Sequence, residues 1–255
     1  MSKKHENILK SVCIIARSAG DAIMYIYNNL ENYYTSKKND KSPVTIADFI
    51  AHDIIIKGLR HLVPTMPILS EENPISWEIR KNWQHYWLVD PLDGTKEFLK
   101  HNNEFTVNIA LVEYGKPVLG VIYAPAMSTM YYAIEGKSYK EINNKIVQIR
   151  ARIIHPPVVV ISRSHDNNID KINNFLLKLG AHKIIKIGSS LKFCLVAEGN
   201  VQFYPRFNPT NIWDTCAGHA IALAAGAYVN DWSGNTLNYL PNRSFINPNF
   251  LVSVL

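Results

Sequence analysis

The sequence predicts a mixed α and β fold, α+β over the first 150 residues and α/β over the rest. Three observations carry this. Apolar residues recur at three- and four-residue steps near the N-terminus, short apolar runs follow at hairpin-like spacing, and beyond Pro157 strand-like runs alternate with helical ones. Ile8, Val12, Ile15, Ala19, Ala22, Ile26 and Leu30 describe one face of a helix over 6–30. The polar stretch Thr35 to Ser42, with Lys37, Lys38 and Lys41, reads as a loop, and a second helix runs from Ile46 to Leu62. The period then changes. Pro67–Ser70 and Tyr86–Asp90 read as buried strands ending in polar residues. Phe105–Tyr114, Pro117–Ala124 and Met127–Ala133 follow as hairpin-spaced strands, and Val147–Arg150 closes this sheet. In the second half, strands at Val158–Ser162, Ile184–Ile187 and Val201–Tyr204 alternate with helices at Asp166–Leu179, Ser189–Glu198 and Trp213–Ala225. The change of pattern places a domain boundary near residue 150, giving units 1–150 and 151–255.

Of 255 residues, 47% are apolar and 19% charged, which excludes disordered and fibrous classes and is enough to build a core without disulfides. The three cysteines, Cys13, Cys194 and Cys216, form no C-x-x-C pair, so neither a disulfide framework nor a cysteine zinc site is expected; a reducing cytoplasm is the simpler setting. The apolar run Val12–Ala16 ends at Arg17, too short for an export signal, and the longest uncharged apolar stretch, Ala220–Val229, is too short to span a membrane. The net charge of +6 points to acidic partners, with nucleotides, nucleic acid and membrane surfaces all open.

Four acidic clusters stand out: Asp48 at the start of the second helix, Glu71-Glu72 after a strand, Asp90-Pro91-Leu92-Asp93-Gly94-Thr95 between a strand and a helix, and Asp214 after Trp213. Asp48 or Asp214 alone reads as a helix cap, and Glu71-Glu72 alone as a solvated turn. The run from Asp90 to Thr95 carries more. Two carboxylates three residues apart, with the Leu92 carbonyl between them, supply the oxygen donors that Mg²⁺ prefers. Gly94 permits close backbone approach, and the following N–H groups form an anion site.

With these motifs in order, the chain resembles the Mg²⁺-dependent, lithium-sensitive phosphatase superfamily that includes inositol monophosphatase. The motifs are Ser42-Pro43-Val44-Thr45-Ile46-Ala47-Asp48, Ser70-Glu71-Glu72, Trp87 to Phe98 and Trp213-Asp214-x-x-Ala217-Gly218. Ser162-Arg163-Ser164-His165, Gly188 to Leu195 and Tyr204-Pro205-Arg206-Phe207 are similar to the bacterial 3′(2′),5′-bisphosphate nucleotidases of sulfate assimilation. The resemblance implies a layered αβαβα sandwich of the inositol monophosphatase and sugar phosphatase type, most metal ligands falling in 1–150, and Asp214 with substrate-binding residues in 151–255. It implies one Mg²⁺ on Glu71, Asp90 and the Leu92 carbonyl, a second on Asp90, Asp93 and Asp214, and two or three ions in all. Asp48 and Thr95 would activate water and Glu72 would support the site from behind. The substrate would be held by Glu71, Leu92, Asp93, Asp214 and the backbone of Gly94 and Thr95, and its second phosphate by His165, Ser189, Lys192 and Arg206.

The implied reaction is hydrolysis of the 3′-phosphate of adenosine 3′,5′-bisphosphate to AMP, with the 5′-phosphosulfate analogue as a further substrate. Attack by water is in line, and two metals about 3.5–4 Å apart neutralise the phosphate. The chain departs from the superfamily at Cys216, in place of a usual alanine, and at Ala224-Ala225-Gly226-Ala227, where Glu-Ala-Gly-Gly is common. An acidic residue that holds sugar hydroxyls in inositol phosphatases is absent before Trp213. Arg206 and Asn208-Pro209-Thr210-Asn211 stand nearby instead, favouring a substrate with a second anionic group. The rivals are an inositol monophosphatase or sugar bisphosphatase and, in another class, an inactive nucleotide- or nucleic-acid-binding protein on the same scaffold. Nucleic acid is not expected as a partner. Monomer and homodimer both stay open, as does peripheral contact of the basic N-terminal helix with the inner membrane. Gly136-Lys137-Ser138 is no P-loop, since Tyr131 occupies the required glycine position, and neither G-x-S-x-G nor His-x-x-x-His occurs.

Overall fold

The computed structural model describes residues 3–29, 35–37, 43–163 and 168–254. Helices α1 (Lys3–Tyr27) and α2 (Ile46–Leu62) form the first layer. Val12, Ala16, Ala19, Ile23 and Ile26 bury one face of α1, and Ala47, Ala51, Ile55 and Leu59 bury one face of α2 at a strict four-residue step. Between them, β1 (Thr35–Lys37) pairs antiparallel with β2 (Pro43–Thr45), where the sequence predicts a loop. This pairing is made by backbone groups, so the polar composition did not disclose it.

The helices cover one face of a seven-stranded sheet, and its strands are β3 (Ile68–Ser70), β4 (His85–Asp93), β5 (Thr106–Glu113), β6 (Lys116–Ala124), β7 (Thr129–Ile134), β8 (Lys137–Ile142) and β9 (Lys145–Ile149). They lie in sequence order; β3 and β4 are parallel and the other neighbours antiparallel. Trp87, Val89, Ile109 and Val121 face the first helical layer, whereas Leu88, Ala110, Ile122 and Tyr131 face the opposite side. Burial on both faces explains why these strands read as nearly continuous apolar runs. The edge strand β9 matches the strand expected at Val147–Arg150; β8 was not foreseen, because Lys137, Lys140 and Glu141 mask its alternation. Two short helices, α3 (Trp77–Arg80) and α4 (Thr95–Leu99), flank β4.

The second sheet has five strands, β10 (Val158–Ser162), β11 (Lys183–Ile187), β12 (Phe203–Arg206), β13 (Tyr228–Asp231) and β14 (Phe250–Ser253), in the order β11-β10-β12-β14-β13. β10 runs parallel to β11 and β12, while β14 pairs antiparallel with β12 and β13. The sequence reading missed β13 and β14, which close this sheet beyond the last predicted helix. Helix α5 (Ile169–Leu179) packs Ile172 and Leu176 on the outer face against Val159 and Ile161. Helices α6 (Leu191–Ala197) and α7 (Ile212–Ala224) lie between the sheets, with Cys194, Cys216, Ala217 and Ile221 toward the first and Phe193, Val196 and Ala222 toward the second. The outcome is the expected αβαβα layering.

The central layer is tight. A Cβ on Gly120 of β6 would stand 2.4 Å from the carbonyl oxygen of Ala217 in α7 and 2.8 Å from the Ala220 Cβ. The obstacle is backbone and cannot rotate away. Gly120→Ala is expected to destabilise the protein by about 1–3 kcal/mol, the usual cost of overpacking, measured as a lowered denaturation midpoint.

Candidate active site

The C-terminal ends of parallel strands β3 and β4 lie side by side. Ser70 is in register with Val89, and the Glu71 N–H continues the ladder to the Val89 carbonyl at 3.1 Å. Glu71 and Asp90, the next residue on each strand, thereby become neighbours. Beyond Asp90 the register slips. Asp90 faces Asn108 of β5 and Asp93 faces Thr106, so β4 advances three residues while β5 advances two. In a regular strand, residues three apart point to opposite faces. The bulge at Pro91-Leu92 resets that alternation, and Asp90 and Asp93 both line one cleft. The Leu92 N–H bonds back to the Asp90 carboxylate at 3.2 Å, and the Leu92 carbonyl accepts the Thr95 hydroxyl at 3.4 Å. Gly94 adopts φ 92°, and a Cβ there would lie 3.0 Å from the Glu104 carbonyl oxygen. The chain can enter α4 at this point because residue 94 is glycine.

From the other side of the cleft comes the start of α7. Asp214 is its third residue and closes a capping box, accepting the Asn211 N–H on Oδ2 at 2.8 Å. Capping engages this oxygen and still leaves carboxylate lone pairs for the cleft. Oxygen atoms of Glu71, Asp90 and Asp214 lie within 4.8 Å of one another. Burial, and then the neighbouring charges of Glu71, Asp93, Asp214 and Asp48, push the Asp90 carboxyl well above its usual range. Asp214 is likewise raised by burial and by Asp93 and Glu71. Such a cluster is electrostatically unfavourable by itself. An all-oxygen donor set of this charge suits a hard divalent cation, and the residues fit that group.

Asp93 stands slightly apart from the three. Burial raises its carboxyl, but Oδ2 accepts the Ser190 hydroxyl at 2.6 Å and the Asn108 amide at 3.4 Å. The Asn108 amide also donates to Ser190 Oγ at 2.9 Å, and the Asp214 carbonyl lies 2.8 Å from the same hydroxyl. Ser190 thus ties Asp93 to the base of α7. Neither Ser190 nor Asn108 was singled out from the sequence. Ser190 falls within the Gly188–Leu195 motif, but its contact with Asp93 spans 97 residues of chain and that of Asn108 spans 15, so neither contact is marked locally.

The cleft, of about 320 Å³, is also lined by Gly94, Thr95, Ser189, Lys192 and Arg206. Asp48 is buried beneath it, close enough to raise Asp90. Burial lowers the pKa of His52, with Asp53 and Glu72 opposing that shift. The helix expected from Ser189 starts later, at Leu191, with Ser190 as its N-cap, so Ser189 lies outside it. Ser189 is in a left-handed turn at φ 47°, ahead of α6. Lys192 is 6% exposed, and its ammonium donates to the Ser189 carbonyl at 2.5 Å. Burial lowers its pKa to about 8, with Asp93 opposing that shift. Arg206 donates to the Ser162 hydroxyl at 2.6 Å and to the Asn208 carbonyl at 3.1 Å, bracing the loop that leads to Asp214. Trp213 is buried against Phe245. His165 lies outside the described residues.

The model of the Inositol monophosphatase family matches residues 4–253. The chain is 59% identical to the 3′(2′),5′-bisphosphate nucleotidase CysQ of Salmonella typhimurium, over 97% of this chain and 100% of that protein. It is 35% identical to the protein of the same name from Haemophilus influenzae, over 97% and 93% of the two chains. Among solved structures, CysQ from Bacteroides thetaiotaomicron superposes with a TM-score of 0.82 at 39% identity, covering 97% of each chain. The Thermotoga maritima IMPase TM1415 superposes at 0.79 with 28% identity, over 97% and 92%.

The raised carboxyls of Asp90 and Asp214 stabilise the metal-free fold when protonated, and that contribution is lost as pH rises through their folded-state pKa values. Asp90→Asn removes one of the repelling charges. In chelator, the variant is expected to melt above the wild type by a margin that widens as pH rises above the ordinary carboxylate range. Added Mg²⁺ should raise the wild-type Tm and leave the variant nearly unmoved. Equal Mg²⁺ shifts in both proteins would contradict the assigned site.

Proposed function

The chain belongs to the inositol monophosphatase family, and we propose that it is a 3′(2′),5′-bisphosphate nucleotidase that hydrolyses the 3′-phosphate of adenosine 3′,5′-bisphosphate to AMP and phosphate. The observation that carries this reading is the full-length likeness, 59% over 97% of the chain, to a nucleotidase of that name. The lining of the cleft supports it: the carboxylates of Glu71, Asp90, Asp93 and Asp214 share one space with the cations of Lys192 and Arg206. A substrate with two separated phosphates suits such a cleft better than a neutral polyol carrying one.

Glu71, Asp90, Asp93, Asp214 and the Leu92 carbonyl would hold two or three Mg²⁺ ions. When bound, the ions neutralise the reacting phosphate and make water a better nucleophile. The remaining work falls to the chain. Asp48 and Thr95 take up and orient the proton of the attacking water; the Thr95 hydroxyl is already directed by the Leu92 carbonyl. The N–H groups of Gly94 and Thr95 orient the phosphate that is cleaved. Ser190 and Asn108 hold Asp93 in one orientation, so that its carboxylate does not reorganise during the reaction. Arg206, with Ser189 and Lys192 behind it, faces the phosphate that is kept. The ligands come mostly from residues 1–150, and Asp214 and the basic groups from 151–255, which is the two-domain division we propose. No described helix is long and apolar enough to cross a membrane.

A substrate panel tests the reading. Mg²⁺-dependent phosphate release should be fastest from adenosine 3′,5′-bisphosphate and much slower from inositol 1-phosphate and fructose 1,6-bisphosphate. Arg206→Ala should cut kcat/KM for the bisphosphate by roughly 10–100-fold, as expected for losing a charged hydrogen bond, and adenosine 3′-monophosphate hydrolysis far less. Preference for inositol phosphate, or equal losses on both nucleotides, would overturn the assignment.

A further inference from the structure

Glu104 precedes β5 on the side of the seven-stranded sheet, and its side chain is 8% exposed as a residue. Oε2 accepts Arg163 Nε at 2.7 Å and the Gly188 N–H at 2.7 Å, while Oε1 accepts Arg163 Nη2 at 2.6 Å. Arg163 and Gly188 are the residues just beyond β10 and β11, adjacent because Ser162 is in register with Ile187. Arg163 is anchored further on the Lys186 carbonyl at 2.8 Å. One carboxylate from the first sheet therefore fastens the ends of two strands of the second.

The backbone at 104 is equally constrained. Its carbonyl oxygen would lie 3.0 Å from a Cβ on Gly94 and 3.0 Å from a Cβ on Gly188. Residue 104 thus abuts two glycines that line the cleft, without lining the cleft itself. Two residues after Gly188, Ser190 reaches Asp93. The spacing between the loop at 188–190 and the turn at 93–95 is set at this point.

We propose that Glu104 is a positioning residue for substrate binding: by clamping Arg163 and the Gly188 N–H it fixes the loop at 188–190 at the distance from Gly94 that the bound nucleotide requires. A bidentate, charge-assisted pair is directional enough for this task; its carboxylate is buried while the guanidinium stays partly exposed. The consequence for substrate rests on the nucleotidase reading above, whereas the clamp itself does not.

Glu104→Gln keeps the shape but sets an amide N–H against an Arg163 donor. It is expected to raise KM for adenosine 3′,5′-bisphosphate roughly 10-fold, the size of one charged hydrogen bond, with kcat within about threefold of the wild type. Amide hydrogen exchange should quicken in peptides covering residues 186–191 and hold steady in β5 and β6. Arg163→Gln, a change at an exposed side chain that carries the test should Glu104→Gln fail to fold, should do the same. The double variant should lose no more than the worse single one, because both remove the same clamp. Unaltered exchange at 186–191, or KM effects that multiply in the double variant, would overturn the proposal. A wild type that releases no phosphate from the bisphosphate would instead overturn the nucleotidase reading, and the exchange data would still decide the clamp.

Discussion

Three carboxylates held within 4.8 Å of one another are the constraint around which this structure is organised. Like charges so placed and so buried repel strongly, and nothing in the core rewards their proximity. The fold must hold them there with interactions made elsewhere. It does so with strand ends and a helix start, whose positions are fixed by the packing of two buried sheets. The cations nearest the cluster are directed at its flanks: Lys192 opposes Asp93, and Arg206 lowers Asp214. Neither approaches the centre closely enough to cancel Asp90, which stays well above the usual carboxylate range. A divalent cation is the partner this oxygen donor set suits.

Each carboxylate reaches the cleft by a different structural device. Glu71 and Asp90 are neighbours because parallel strands end in register. Asp93 joins them because a one-residue bulge reverses the alternation of β4. Asp214 also closes the capping box of α7 on Asn211, so the group that completes the cluster also secures the start of the helix that fills the space between the sheets. The packing of α7 against β6 at Gly120 and of Gly218 against Phe193 then fixes how far Asp214 projects toward Asp90. Site geometry and core packing are in this sense the same problem.

Much of this was legible in the sequence. The four-residue apolar step bounds α2 at Ile46 and Leu62, and the strand β10 likewise falls at Val158–Ser162. The acidic motifs could be recognised because each is short and contiguous, and the cleft brings together Glu71, Asp90 and Asp214 as their resemblance implied. What escaped the sequence is the scaffolding between motifs. Ser190, Asn108, Glu104 and Arg163 act through contacts between distant parts of the chain, and a lone serine or glutamate carries no periodic signal. The hairpin of β1 and β2 rests on backbone pairing, and β8 is hidden by its charged face. The resemblance implies that Lys192 holds the second phosphate, yet its ammonium is turned inward to the Ser189 carbonyl. Spacing predicts which face a residue shares and says little about how deep that face lies.

The claim that this carboxylate cluster is a divalent cation site is tested most directly by calorimetric titration of the metal-free protein with Mg²⁺ in buffers of different ionisation enthalpy. Carboxyls raised by burial and mutual repulsion hold protons that a cation must displace. Binding should therefore release protons, fewer as pH rises, and weaken at least 10-fold in Asp90→Asn. Binding without proton release at any pH, or equal affinity in the variant, would contradict the account.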